Sequence, residues 1–180
     1  YSALVSSGSL DFSDALYLLH ERGKAMQKAV PVGKGKMIAI LGVKTQEILK
    51  ILKSIENEIG VCEIANDNAE GQVIVSGNKE KVDSLQNILK EKKIKSIPLK
   101  VSAPFHCSLM KPAASIMRDK IFKTKFINPL FSILNNVTAN PETSSETIKE
   151  LLIKQIFSTV KWRDSIINMS SYGVKNFIEV

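Results

Sequence analysis

The chain has 180 residues, of which 44% are hydrophobic and 24% are charged, and its formal net charge is +7. This composition is ordinary for a soluble globular protein, and no apolar run approaches the roughly 20 residues that a membrane-spanning helix needs. The excess of 25 basic over 18 acidic residues is nearly all lysine. Such lysines either cover solvated helix faces or attract an anionic partner, such as a phosphorylated cofactor or an acidic protein.

The chain contains two cysteines, Cys62 and Cys107. They match neither a disulfide framework nor the spacing of a metal site. The sequence therefore predicts no bound metal, and the low cysteine content favours a reducing compartment, which we take to be the cytoplasm.

The first predicted element is a helix from Asp11 to Val30. Asp11 is a suitable N-cap, and apolar residues follow it at helical spacing. Arg22 lies on the same face as Leu18. The glycine-containing stretch 31–35 ends the helix and is interpreted as a linker.

A compact unit with the order β-α-β-β-α-β follows the linker. Thr45 is the predicted cap of its first helix, and the turn 66–71 joins its second and third strands. This order is typical of a ferredoxin-like subdomain. The predicted strands are 37–43, 61–65, 72–76 and 94–101, and the predicted helices are 45–58 and 79–92.

A positively charged ferredoxin-like unit also raises the possibility of RNA recognition, in which aromatic side chains on the central strands stack on bases. The predicted central strands, 37–43 and 72–76, contain no aromatic residue. Because the stacking platform is missing, we predict no nucleic-acid partner.

The rest of the chain alternates helices with single short strands, a pattern that indicates a parallel α/β sheet. The sequence therefore predicts a small antiparallel subdomain inserted into a larger α/β body. The abrupt start at Tyr1 and the apolar run at the other end suggest an internal segment of a longer protein. The predicted helices are 108–122, 145–157 and 162–172, and the predicted strands are 130–134 and 176–180.

His106 is one of two histidines and lies in a turn between a predicted strand and a predicted helix. An unperturbed pKa of about 6.5 suits a general base at neutral pH. The alternative is a histidine that caps the helix or fills the turn. A thiol nucleophile at Cys107 is disfavoured, because adjacent side chains in extended chain point to opposite sides, so Cys107 is interpreted as a small buried residue.

Arg22 is the only arginine of the first predicted helix. By itself it is compatible with an ordinary surface charge. Unlike lysine, arginine presents a planar fork that pairs with a carboxylate through two hydrogen bonds. The alternative role is therefore recognition of an acidic acyl group.

Six motifs follow one another in the order and approximate spacing of one enzyme family. They are Tyr1-Ser2-Ala3-Leu4-Val5 with Gly8, His20 to Gln27, Gly71 to Gly77, Ala103 to His106 with Leu109 to Ala113, Asn135-Asn136-Val137, and Val160-Lys161-Trp162. Together they resemble the malonyl-CoA:acyl carrier protein transacylase family, and acyltransferase domains of polyketide and fatty acid synthases share part of them. The resemblance implies an α/β-hydrolase-like parallel-sheet body, here 1–35 and 99–180, with the ferredoxin-like subdomain at 36–98.

The resemblance also implies roles for four residues. His106 matches the base that deprotonates a serine and then protonates the departing coenzyme A thiolate. Arg22 matches the arginine that binds the malonyl carboxylate, and Phe105 fits a malonyl preference because its ring would crowd an α-methyl group. Gln155 matches the residue whose backbone carbonyl orients the histidine ring, although it is equally compatible with an ordinary polar residue near a helix end.

The implied reaction moves malonyl from coenzyme A to a serine and then to the phosphopantetheine thiol of acyl carrier protein in fatty acid biosynthesis. The serine, in a G-H-S-x-G turn, is expected four residues before Tyr1, so this chain alone is expected to be inactive. The coenzyme A thioester is a substrate, and no permanently bound cofactor, no nucleic acid and no membrane partner is expected. The intact protein is expected to be a monomer, with lysines that face acyl carrier protein and the coenzyme A phosphates.

Two other classes remain open at this point. The chain is compatible with an acyltransferase domain of a larger polyketide or fatty acid synthase. It is also compatible with a non-catalytic binding scaffold that has lost the serine.

Overall fold

The computed structural model describes residues 1–178 and has a mixed α/β fold. A single 3-10 turn, Ser108–Met110, leads into α5. None of the helices within the described range is long and apolar enough to cross a membrane. The helices are Ser2–Ser6 (α1), Phe12–Ala29 (α2), Thr45–Ser54 (α3), Lys79–Glu91 (α4), Lys111–Lys123 (α5), Ser145–Gln155 (α6) and Trp162–Ser171 (α7). The strands are Gly35–Leu41 (β1), Cys62–Ala69 (β2), Gln72–Asn78 (β3), Lys95–Pro98 (β4), Ile133–Leu134 (β5) and Pro141–Glu142 (β6).

The first four strands form one antiparallel sheet in the order β2-β3-β1-β4. Alternate residues of the central strands, such as Ile38 and Val75, are fully buried and share one hydrophobic core with Ile48 of α3 and Leu85 of α4. The period of two along the strands and of three to four along the helices places these side chains on facing surfaces. The predicted succession β-α-β-β-α-β is observed in this part of the chain.

A second core joins the remaining helices. Leu18 of α2, Met117 of α5 and Ile156 after α6 are among its fully buried members. The predicted first helix is confirmed, and its N-cap Asp11 accepts a hydrogen bond from the Ser13 amide at 2.8 Å. The predicted helices after position 108 are also present, except that the first begins as the 3-10 turn.

The predicted cap of α3 was wrong. Lys44 occupies the N-cap position with extended backbone, so Thr45 already has helical geometry and its side chain makes no capping hydrogen bond. The helix also ends at Ser54 rather than near residue 58. Beyond it, the buried ammonium of Lys81 donates to the carbonyls of Glu56, Glu58 and Gly60, which stabilises a non-helical turn.

The predicted turn 66–71 was also too long. β2 continues to Ala69 through two register shifts, and only Glu70 and Gly71 form the turn. β2 is an edge strand, and its outer side is covered because Asn66 forms a parallel bridge with Val160. Bulges let an edge strand carry polar residues while it stays paired.

The predicted parallel sheet is not observed within residues 1–178. The predicted strand 130–134 is reduced to β5, which pairs antiparallel with β6. Strands of a parallel sheet are buried on both faces, whereas Leu130 is 86% exposed. Of the predicted strand 176–180, residues 176–178 form no strand, and Glu179 and Val180 lie outside the described residues.

Gly77 on β3 is the position where an added side chain would be tolerated least. A Cβ atom there would lie 1.9 Å from the carbonyl oxygen of Val61, so Gly77→Ala requires the backbone of two strands to separate. We expect a loss of about 1–3 kcal/mol in the free energy of unfolding, measured by urea denaturation. Gly23→Ala is the matched control, because Gly23 lies in α2 with nothing within 4 Å. Gly23→Ala should raise the free energy of unfolding by about 0.5–1 kcal/mol. Equal changes in the free energy of unfolding for Gly77→Ala and Gly23→Ala would contradict this expectation.

Candidate active site

A groove of about 780 Å³ lies where the antiparallel sheet meets the helical part of the molecule. One wall comes from α3 and β2, and the other from the segment 157–164 and Val137. His106 is the histidine that lines this groove. The groove therefore provides space for a substrate beside the residue that the sequence identifies as a candidate base.

The two walls are joined by backbone and side-chain contacts along β2. The Val160 amide donates to the Ala65 carbonyl at 2.8 Å, and the Asp67 amide donates to the Val160 carbonyl at 3.0 Å. Arg163 also pairs with Asp67 at 2.7 Å and with Glu70 at 2.8 Å. These contacts fix the position of β2 relative to the segment after α6.

The His106 backbone is left-handed, with φ of +57°. Its ring Nδ1 lies 3.0 Å from the backbone carbonyl oxygen of Gln155, at the end of α6. A carbonyl oxygen can only accept, so Nδ1 carries the proton in the neutral ring and Nε2 is left as the acceptor. This is the tautomer that a general base acting through Nε2 requires.

The electrostatic surroundings keep His106 neutral. Burial lowers its pKa, the hydrogen bond to Gln155 raises it, and the positive charge of Arg22 lowers it further, with a net decrease. A histidine with a pKa below about 6.5 is unprotonated at neutral pH. His106 is therefore in the form that accepts a proton.

Gln155 is held in place by its own side chain. Its Nε2 donates to Oδ1 of Asn136 at 2.7 Å, and the Asn136 carbonyl accepts from the Lys161 amide at 3.0 Å. The carbonyls of the last helical turn have no intrahelical partner, so the Gln155 carbonyl is available to the imidazole. Asn136 was not predicted as a site residue, although the motif Asn135-Asn136-Val137 marked its position.

The positive charge of Arg22 lowers the pKa of His106. The guanidinium is partly buried, and burial lowers its pKa. Its Nε is buried and finds no hydrogen-bond partner among residues 1–178. A buried cationic donor without a partner is unfavourable, so an anionic group at this place would be stabilised.

The remaining candidate, Phe105, is half-buried and packs against the core of the helical part. It does not line the groove. Of the four candidate residues, only His106 lines the groove. Its ring contacts the Gln155 carbonyl and its pKa is lowered by the charge of Arg22, while Phe105 packs against the core of the helical part.

Neither cysteine is suited to nucleophilic attack. Burial raises the pKa of Cys62 to about 12, and burial also raises the pKa of Cys107. The Cys107 thiol is fully buried and donates to the Pro104 carbonyl at 3.2 Å. The interpretation of Cys107 as a small buried residue is confirmed.

No protein-family model matches the sequence. Two curated proteins named malonyl CoA-acyl carrier protein transacylase do match all of it. The one from Haemophilus influenzae is 41% identical and the one from Bacillus subtilis is 38% identical. The chain is thus similar to these transacylases over its whole length. It spans 58% and 57% of their respective lengths.

Solved structures of the transacylase family have the same fold. The malonyl CoA-acyl carrier protein transacylase from Clostridium perfringens is 35% identical and superposes with a TM-score of 0.95, over all of this chain and 57% of its own. A malonyl-transacylase solved in complex with a type II polyketide synthase acyl-carrier protein is 37% identical and has a TM-score of 0.92. That match covers 97% of this chain and 56% of the transacylase.

Proposed function

We propose that the protein transfers malonyl from coenzyme A to the phosphopantetheine thiol of acyl carrier protein in fatty acid biosynthesis. The observation that carries this proposal is the contact between His106 Nδ1 and the Gln155 carbonyl, in a chain related to malonyl transacylases throughout. That contact prepares Nε2 to accept a proton. Burial keeps the ring neutral until it does so.

The proposed nucleophile is a serine in a G-H-S-x-G turn that precedes Tyr1 in the full-length protein. Nε2 of His106 takes the proton of the serine hydroxyl as its oxygen attacks the malonyl thioester, and the carbon–sulfur bond then breaks. The imidazolium returns the proton to the coenzyme A thiolate. In the second half, His106 deprotonates the carrier-protein thiol, which takes the acyl group, and the proton goes back to the serine oxygen.

We propose that Arg22 binds the free carboxylate of malonyl. Its buried Nε without a partner among the described residues and the effect of its charge on the pKa of His106 support this role. Phe105 is proposed to disfavour an α-methyl group because it precedes His106 directly in the chain, although its ring packs against the core of the helical part. Gln155 is proposed as the residue that orients the base.

We further propose that 36–98 is a ferredoxin-like subdomain and that 1–35 and 99–180 are part of an α/β-hydrolase-like body. The antiparallel order β2-β3-β1-β4 supports the first assignment, because the ferredoxin-like connectivity produces it. The second rests on the family relationship.

Acyl carrier protein and malonyl-CoA are the proposed partners, and the coenzyme A thioester is a substrate, so the proposal includes no permanently bound cofactor. The complex of a related transacylase with its carrier protein supports the first partner. The net charge of +7 favours an acidic partner. We propose a cytoplasmic monomer, and the two free cysteines fit a reducing compartment.

The full-length protein, supplied with malonyl-CoA and carrier protein, should produce malonyl-carrier protein, whereas the 180-residue chain alone should not. The measurement is the mass of the carrier protein and of the enzyme after brief incubation. Stoichiometric malonylation of the 180-residue chain would contradict the proposed position of the serine.

Sequencing the parent reading frame distinguishes the remaining alternatives. A short frame with G-H-S-x-G agrees with a free-standing enzyme. An adjacent ketosynthase sequence would instead indicate a synthase domain, and a replaced serine would indicate a binding scaffold.

A further inference from the structure

Glu63 on β2 makes two hydrogen bonds to one residue of the His106 turn. Its Oε2 accepts from the Ser108 amide at 2.8 Å, and its Oε1 accepts from the Ser108 hydroxyl at 2.7 Å. Ser108 begins the 3-10 turn that leads into α5 and follows His106 by two positions. The carboxylate therefore connects the antiparallel sheet to the segment that carries the imidazole.

The other side-chain contacts of the turn are made by the His106 ring and by Cys107, whose thiol donates to the Pro104 carbonyl and accepts from the Ser76 hydroxyl. Cys107 is the N-cap residue of the 3-10 turn, and its side chain makes no capping hydrogen bond there. The amides of a first helical turn lack intrahelical partners, and a carboxylate is the acceptor that satisfies them best. Glu63 supplies this acceptor from another element, and hydrogen bonds to an ionised carboxylate are stronger than neutral ones.

The left-handed backbone of His106 makes such a restraint useful. A non-glycine residue at a φ of +57° is strained, so the surrounding structure must hold it there. The Gln155 carbonyl holds the ring of His106, and the two bonds from Ser108 to Glu63 hold the chain that follows it.

Glu63 is itself well supported. It pairs with Ser76 in the β2–β3 register, and the neighbouring Ile64 carbonyl accepts from the Thr159 hydroxyl at 2.6 Å. The carboxylate thus reaches the turn from a strand whose two sides are both anchored. Glu63 and His106 both line the groove. The two hydrogen bonds that the Glu63 carboxylate accepts, however, both come from Ser108.

We propose that Glu63 is a positioning residue, which fixes the His106 turn through Ser108 so that the imidazole keeps its contact with Gln155. The inference rests on the proposed malonyl transfer for its kinetic consequence. With this role the small subdomain takes part in catalysis, because Glu63 on its sheet determines the position of His106, which lies outside that sheet.

Removing the carboxylate should change the chemical step more than substrate binding. Glu63→Ala in the full-length protein should lower kcat for malonyl transfer about 10-fold, because a displaced base reduces the fraction of productive encounters, and should change KM less than about twofold. Glu63→Gln keeps one acceptor oxygen, so its kcat should lie between those of wild type and Glu63→Ala. Ser108→Ala loses only the hydroxyl bond and should lower kcat about threefold.

Glu91→Ala is the matched control. Glu91 is an exposed carboxylate at the end of α4, so its removal changes the net charge of the same sheet unit equally. It should leave kcat and KM unchanged. Circular dichroism and urea midpoints report the folded fraction, and rates are expressed per folded molecule, while Glu63→Gln and Ser108→Ala carry the test if Glu63→Ala does not fold.

The tautomer of His106 provides a readout that does not depend on malonyl transfer. In the ¹⁵N spectrum of histidine-labelled full-length protein at pH 8, wild type should show one Nδ1–H tautomer at His106. Glu63→Ala should show a mixture, and Glu91→Ala should resemble wild type. The His106 signal is assigned from the spectrum of His106→Ala.

The kinetic measurement and the tautomer measurement together distinguish failure of the proposed function from failure of the positioning role. A wild-type protein without transfer activity whose His106 tautomer still depends on Glu63 would overturn the proposed function and retain the positioning role. An active wild type in which Glu63→Ala changes neither kcat nor the tautomer would overturn the positioning role alone. A kcat loss that disappears per folded molecule would also overturn it.

Discussion

Replacing His106 with alanine in the full-length protein should lower the rate of malonyl transfer to the serine by about 10²–10⁴-fold, the usual effect of losing a positioned base. The reason is the tautomer imposed by Gln155, which leaves Nε2 available to accept the proton of the proposed serine nucleophile. Single-turnover mixing with malonyl-CoA, followed by quenching and mass analysis of the enzyme, measures the acylation rate directly.

His20→Ala is the natural control, since His20 is the other histidine of the chain and is exposed on α2. It should leave acylation unchanged. If His106→Ala instead transferred malonyl at the wild-type rate and only lowered the melting temperature, His106 would be a structural turn residue. That result would support the alternative interpretation of the turn.

The pH dependence of acylation should report the same group. Because the pKa of His106 is lowered, the rate should fall only below pH 6.5, as the ring becomes protonated.

The stability of the fold should also depend on the protonation of His106, because the unfolded chain binds this proton at a higher pH than the folded one. His106 therefore makes the folded state less stable as the pH falls from about 6.5 through its folded pKa, and His106→Ala should remove this contribution to acid unfolding.

The local parts of the site could be predicted from the sequence because they depend on neighbouring residues. The helix that begins at Phe12 follows from the Asp11 cap and from apolar spacing, and it carries Arg22. The turn at His106 follows from the change between strand and helix patterns around it. Roles for His106, Arg22 and Gln155 came from the family resemblance, and spacing alone left each of them with a plain structural alternative.

Contacts between distant residues could not be predicted in this way. Glu63 and Ser108 are 45 positions apart, and Asn136 and Gln155 are 19 positions apart. Each pair meets only because two elements pack together, and neither side chain belongs to a pattern that specifies the other. The extension of β2 to Ala69 also depends on a residue that is distant in the sequence. Asn66 forms a bridge with Val160, and the Asp67 amide donates to the Val160 carbonyl.

Arg22 offers the clearest test of acyl-group recognition. Arg22→Ala and Arg22→Lys should both impair malonyl transfer, because lysine keeps the charge but lacks the planar fork that binds a carboxylate through two hydrogen bonds. In Arg22→Ala, the rate of transfer from the acetyl donor should rise relative to the rate from the malonyl donor. An acetyl group leaves a buried arginine without an acceptor, and this penalty disappears when the guanidinium is removed.

The expected change in the malonyl-to-acetyl rate ratio is at least about 10-fold, which corresponds to one charge-assisted contact of about 1.5–3 kcal/mol. The measurement compares transfer rates from malonyl-CoA and acetyl-CoA in wild type and in each variant. Arg118→Ala is the matched control, because Arg118 pairs with Glu150 on the exposed surface of α5 and α6 and should not affect the ratio. If Arg22→Ala slows both donors by the same factor, Arg22 supports the fold of α2 rather than the substrate, because a lost structural contact affects every acyl group equally.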